Sequence, residues 1–172
     1  MSRRSYEDSC RELLGRGWID EVRPMPARPP RHDDEVLGLS FFRTMLADAD
    51  LSSMTLPRTF FGRSEIRRVS FRDTDLNEST LCWNDFIEVD FTAARLAKAD
   101  LRAARFDTVT FAMADLRDTD LRHASFEKCD FTGADLRDAL ATNEQRAMLN
   151  LSSSQTGTVS WHDEAGDEPG GG

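Results

Sequence analysis

The sequence predicts an all-β solenoid, a chain wound into a tube with four short repeats to each turn. Three observations predict it. From Phe41 to Leu136 every fifth residue is large and apolar, twenty positions with no exception. Two residues before each of these lies a second series, from Leu39 through Ala49, Val89 and Ala114 to Ala134, whose members are mostly small and never charged. Like residues also recur at an interval of twenty: Leu56, Leu76, Leu96, Leu116 and Leu136 in one column, Phe71, Phe91, Phe111 and Phe131 in another.

Each observation has a physical reading. A helix repeats every 3.6 residues and a flat strand every two, so neither produces a stride of five. Two positions in five turn inward, one large and one small. The other three face water, and all the charges between residues 37 and 138 fall on them. A twenty-residue recurrence means that four repeats complete a coil and that identical side chains lie over one another. Neighbouring coils then sit about 4.8 Å apart, the spacing of hydrogen-bonded strands. Counting the apolar positions gives about five coils.

The motif Ala-Asp-Leu, present as Ala49-Asp50-Leu51, Ala99-Asp100-Leu101, Ala114-Asp115-Leu116 and Ala134-Asp135-Leu136, resembles the pentapeptide-repeat family. The resemblance covers residues 37–138. It implies a right-handed quadrilateral β-helix and a protein that is not an enzyme. Some family members protect DNA gyrase by resembling a duplex in width, shape and negative charge. This sequence departs from them in its shorter rod, its 14 basic residues within the repeats, and its uninterrupted repeat run.

Both ends of such a rod expose strand edges that need covering. Ser5 and Asp8 match a capping box, and Tyr6, Cys10, Leu13 and Leu14 follow at helical spacing, so a helix is expected near 5–14, ended by Gly15 and Gly17. The proline-rich stretch 24–30 reads as an extended linker, and 1–36 together as an N-terminal cap. After Leu136 the stride fails. Residues 139–161 are expected to form a C-terminal cap, with a short helix starting at Thr142 and a short strand within 155–161. The acidic, glycine-rich tail from His162 is expected to be unstructured.

Composition narrows the function. Net charge is −9, which argues against direct nucleic-acid binding through bulk electrostatics. No apolar run approaches the length of a membrane span. Three unclustered cysteines suit free thiols in a cytoplasmic setting better than a disulfide framework. His32, His123 and His162 are scattered without metal-ligand spacing, and no cofactor or catalytic constellation is predicted. Cys82 falls at an outward position and is a candidate reactive thiol; the alternative is an inert cysteine. The aspartates that precede the apolar centres read as turn formers rather than acid–base pairs.

Sorting outward positions by column picks out two faces. One carries Phe42, Phe60 and Trp83 with Arg43, Arg63, Arg102, Arg122 and His123, and its charges sum to +2. Exposed aromatics beside arginines mark a candidate protein-contact face, unless the N-terminal segment folds back over Phe42, Phe60 and Trp83. The other face is acidic, with Asp50, Asp73, Asp90 and Asp130. The expected function is a non-enzymatic scaffold with an unknown protein partner. The alternative is a DNA mimic acting on gyrase or a topoisomerase. A homodimer through a terminal cap or the aromatic face is compatible with either.

Overall fold

A computed structural model describes residues 2–30 and 38–163. Nearly all of the apolar series is fully buried, including Leu56, Leu76, Leu96, Phe91 and Phe111, with Leu116 and Leu136 completing the leucine column. The chain winds as a right-handed parallel β-helix. Its strands are short. They are β1 (Ser40–Phe42), β2 (Met45–Asp50), β3 (Phe60–Gly62), β4 (Glu65–Ser70), β5 (Asp85–Ile87), β6 (Arg105–Asp107), β7 (Ser125–Glu127), β8 (Leu140–Thr142) and β9 (Ser160–His162). One sheet stacks β2-β4-β5-β6-β7, all parallel and each offset by twenty residues.

Two hydrogen-bond rules build the ladder. Along the repeats the N–H of an apolar centre donates to the carbonyl nineteen residues ahead, as Leu51 to Ser70 at 2.8 Å and Phe71 to Asp90 at 2.7 Å. The N–H of the residue before each centre donates to the carbonyl twenty-one residues back, as Asp75 to Met54 at 2.9 Å. Between these rungs the chain turns a corner, and the turn needs left-handed backbone. From Arg43 onward, residues spaced by five take positive φ, among them Lys98 at 60° and His123 at 62°, and Gly133 takes 69° in the same series. Such conformations cost a non-glycine residue on the order of 1 kcal/mol, and the repeated rungs hold them in place.

The twenty-residue offset places like rings face to face. Phe71, Phe91, Phe111 and Phe131 stack with centroids 5.1, 5.2 and 5.0 Å apart. Phe86, Phe106 and Phe126 form a parallel stack at 5.0 and 5.1 Å. The two stacks meet edge to face, Phe86 against Phe91 at 5.6 Å. Stacks offset along the rod and edge contacts across it both suit the aromatic quadrupole.

The coil count differs from the sequence expectation of about five. Residues 40, 60, 80, 100, 120, 140 and 160 lie in register one above the next, which makes six coils. The sixth runs from β8 to β9 and keeps only Leu151 among its large apolar centres, so counting apolar residues misses it. It contains a 3-10 turn (Asn143–Gln145), α2 (Arg146–Leu149) and α3 (Ser153–Thr156). Gln145 and Gln155 tie it down. Each accepts a backbone N–H with its side-chain oxygen, from Thr142 and Ser152 at 2.7 and 3.0 Å. Each donates its side-chain amide to two carbonyls of the coil below, Gln145 to Leu121 and Ala124, Gln155 to Phe131 and Ala134. The polar edge that would end the rod is thus satisfied by side chains.

The other end is covered by α1 (Tyr6–Gly15). Ser5 accepts the Asp8 N–H at its start. Gly17, at φ 72°, closes its end, with the Trp18 N–H reaching back to Leu13. Cys10 and Leu13 are fully buried, and Ser9 Oγ accepts the otherwise open N–H of Thr55. The linker lies along one side, where the Pro26 carbonyl accepts Arg58 and the Pro30 carbonyl accepts Thr80 Oγ1. The expected strand within 155–161 is shorter, since α3 occupies 153–156. His162 ends β9, and the expectation for the tail otherwise falls outside the described residues, as does that for 31–36.

Gln145 is buried and holds three backbone groups. Gln145→Ala takes the side-chain partner from the Thr142 N–H and the Ala124 carbonyl, while the Leu121 carbonyl keeps the Ala124 N–H, and is expected to lower stability by about 2 kcal/mol. Gln155→Ala, at a half-exposed position, is expected to cost less. Urea denaturation of both variants measures the difference.

Candidate interaction face

The face centred on residues 41, 61, 81, 101 and 121 has two halves. In the upper half, β1 pairs with β3 so that Phe42 stands over Gly62. The next residue down that column is Cys82. A side chain at 62 would collide with the Phe60 ring, whose nearest carbon lies 2.6 Å from an ideal Cβ, and would press on Phe42 at 3.0 Å. Gly62 therefore lets both rings lie across the strand, with centroids 6.4 Å apart. Phe42, Phe60, Gly62, Arg63, Cys82 and Trp83 enclose an open recess of about 610 Å³. Phe42 is 51% exposed and Trp83 65%, whereas Phe60 is covered at 8%. The Arg43 guanidinium sits 5.2 Å from the Phe42 ring centre.

The sequence placed Cys82 outward as a candidate reactive thiol. The structure corrects this. Cys82 is 1% exposed at the floor of the recess. Burial, and then the nearby Asp100 carboxylate, push its pKa up to about 12, so it is a protonated, apolar floor. Gly62 and Cys82 were not singled out as parts of the site. The signal available was a column reading Phe42, Gly62, Cys82, a bulky residue over two small ones.

In the lower half the arginines are engaged. Arg102 binds its own Asp100 through two nitrogens at 2.9 and 2.8 Å and approaches Asp120 at 3.7 Å. Arg122 binds Asp120 in the same way. The carboxylate first accepts the backbone N–H two residues on, closing the corner, and then receives the guanidinium. The Asp-Leu-Arg sequence makes the same clasp at Asp115–Arg117 and Asp135–Arg137. His123 lies two coils beyond Trp83 in one column. The structure therefore brings Phe42, Arg43, Phe60, Arg63 and Trp83 together, and draws Arg102 and Arg122 into a neutral ladder.

The alternative cover for this face does not form among the described residues. Residues 2–30 dock on the coil end and along the Arg58 and Thr80 side, and they leave Phe42 and Trp83 open. The acidic candidates also divide. Asp50, Asp90 and Asp130 share a column, separated by Ser70 and Thr110. Asp73 lies elsewhere and pairs with Arg3 at 2.7 Å, and Asp90 pairs with Arg72 at 2.9 Å. Among the described residues no cluster of side chains suits a metal ion, and no helix is long and apolar enough to cross a membrane.

The carboxylates of the clasps share a pH consequence. Hydrogen bonds from Arg117, Arg137 and Ser52 hold Asp115, Asp135 and Asp50 below the ordinary carboxylate range. Asp130 is held down by Thr132. At Asp90 burial pulls upward, and bonds from Thr92 and Arg72 outweigh it. A lowered folded pKa stabilises the fold above the unfolded value, near 4. That contribution is lost as pH falls through the folded values. The melting temperature is expected to be flat from about pH 5 to 7 and to fall below about pH 4, which a pH series of thermal melts measures.

Comparison with known proteins agrees with this geometry. A family model for pentapeptide repeats matches eight copies, over residues 46–81, 85–122 and 114–139. A search of curated protein sequences finds no match. Among solved structures, HetL, a pentapeptide repeat protein involved in heterocyst differentiation regulation in the cyanobacterium Nostoc sp. strain PCC 7120, is 22% identical. Its alignment covers 58% of this chain with a TM-score of 0.56. The chain spans about half of HetL, 48% of its length. Rfr23 from the cyanobacterium Cyanothece 51142 is 15% identical over 56% of this chain and 82% of its own, with a TM-score of 0.46. The plasmid-mediated fluoroquinolone resistance protein QnrB1 is 12% identical over 74% of this chain and 93% of its own, with a TM-score of 0.22.

Proposed function

Because this chain belongs to the pentapeptide-repeat family, we propose that it works without catalysis, as a rigid module read by a protein partner through the face holding Phe42, Phe60 and Trp83. One observation carries the reading: two large aromatic side chains stand in water on a hydrogen-bonded ladder that already buries the rest of its aromatic column residues. Exposed aromatics of this kind are the usual anchors of protein interfaces. The three cysteines are free, which suits a reducing compartment such as the cytoplasm.

A tagged protein is compared with its Phe42→Ala, Trp83→Ala double variant in pull-downs from the native cell extract. The variant is expected to keep its circular dichroism spectrum, since both rings lie outside the tube, and to lose a partner that the wild type retains. Retention of every partner by a folded variant counts against the face.

A second reading, DNA mimicry toward gyrase, has in its favour the column of Asp50, Asp90 and Asp130. Two coils separate successive carboxylates, roughly 10 Å, and Arg72 lies against one of them. Gyrase supercoiling at micromolar protein is expected to be unchanged; inhibition or protection from a quinolone would favour mimicry over the scaffold reading.

A further inference from the structure

The recess at the top of the interaction face differs from its surroundings in charge as well as in shape. Most arginines of the coil, from Arg58 to Arg137, pair with a carboxylate. Arg43 and Arg63 do not pair with one among the described residues; Arg43 lies over the Phe42 ring instead. These two cations flank the recess on a protein whose net charge is −9. Its walls are the rings of Phe42, Phe60 and Trp83, and its floor is the bare backbone of Gly62 and the protonated thiol of Cys82. A volume of about 610 Å³ accepts one bulky side chain with part of its neighbour. The site thus offers aromatic surface in the middle and positive charge beside it.

We infer that this recess takes an acidic peptide segment that inserts a single aromatic or large aliphatic side chain, its flanking carboxylates meeting Arg43 and Arg63. The inference rests on the scaffold reading and names the partner's chemistry. The anchor displaces water from the exposed faces of Phe42 and Trp83, and offset or edge packing against them adds to the area buried. The carboxylates meet guanidinium groups that pair with no carboxylate among the described residues, which favours bidentate pairing. The same arrangement selects against a basic segment. It also selects against single-stranded nucleic acid, although aromatics and arginines together suit stacked bases. The recess holds one ring, whereas successive bases need a run of stacking surfaces, which the clasped Arg102 and Arg122 below it do not offer.

The probe is a labelled synthetic peptide of alternating aspartate and glutamate with one central tryptophan, titrated into the full-length protein and followed by fluorescence anisotropy. Binding is expected with a Kd of about 10–100 µM, weakening several-fold as salt rises toward about 0.5 M. Replacing the peptide's tryptophan by serine is expected to weaken binding at least tenfold, and so is Trp83→Ala in the protein. The Arg43→Gln, Arg63→Gln double variant, which leaves the aromatic walls of the recess in place, is expected to do the same. Three results would overturn the inference: no binding at about 1 mM peptide, equal binding of a lysine-substituted peptide, or tighter binding of an oligothymidylate of similar length. If the peptide fails while the pull-down still depends on Phe42 and Trp83, only the acidic-anchor inference falls. If the folded double variant also retains every partner, the scaffold reading falls with it.

Discussion

The hydrogen-bonded rung between residues twenty apart is the constraint on which the rest of the structure depends. Once Leu51 donates to Ser70 and Asp75 to Met54, each residue has its counterparts directly above and below, at strand spacing. Inside the tube that forces like against like, and the phenylalanine stacks at 5.0–5.2 Å follow. The rung also requires a left-handed residue at a stride of five, borne by arginine, lysine, tryptophan and histidine as well as by glycine. No single corner is stable alone. Each is held by the ladder on both sides, which is why the ends of the rod need their own devices.

The same stacking governs the outer surface, where like charges one coil apart would repel. The chain avoids much of this by alternation. Asp48 lies beside Arg68, Arg58 beside Glu78, and hydroxyls separate Asp50, Asp90 and Asp130. Where aspartates do fall on successive rungs, as at 100 and 120, each is clasped by the arginine two residues on. Against this ordered, largely neutralised surface the pair Arg43 and Arg63, set beside open rings, is an exception. The column Phe42, Gly62, Cys82 is an exception of shape at the same place, so charge and relief depart from the pattern together.

The two ends solve one problem by different means. At the start, α1 lays Cys10 and Leu13 on the first coil and satisfies the Thr55 N–H with the Ser9 hydroxyl. At the finish, two glutamines ten residues apart each close a short helical start and bond to the coil beneath. The second device keeps the twenty-residue register through a stretch with no repeat. That is why β9 pairs with β8 as any coil pairs with the last.

The sequence by itself determined the stride, the inward columns, the position of α1 within a residue or two, and the aromatic and acidic columns. All of these are periodic or local, and a fixed period maps directly onto a column. Only the tertiary structure decided the sixth coil, because the apolar stride breaks at Ala141, Arg146 and Thr156 and glutamine hydrogen bonds hold the register that periodicity no longer marks. It also decided that Cys82 is buried beneath its neighbours rather than exposed, that Phe60 is covered while Phe42 and Trp83 are open, and which arginines are spent on aspartates. Each of these turns on how neighbouring side chains share space across coils. A single strand of sequence carries the list of those neighbours but not the way they lean.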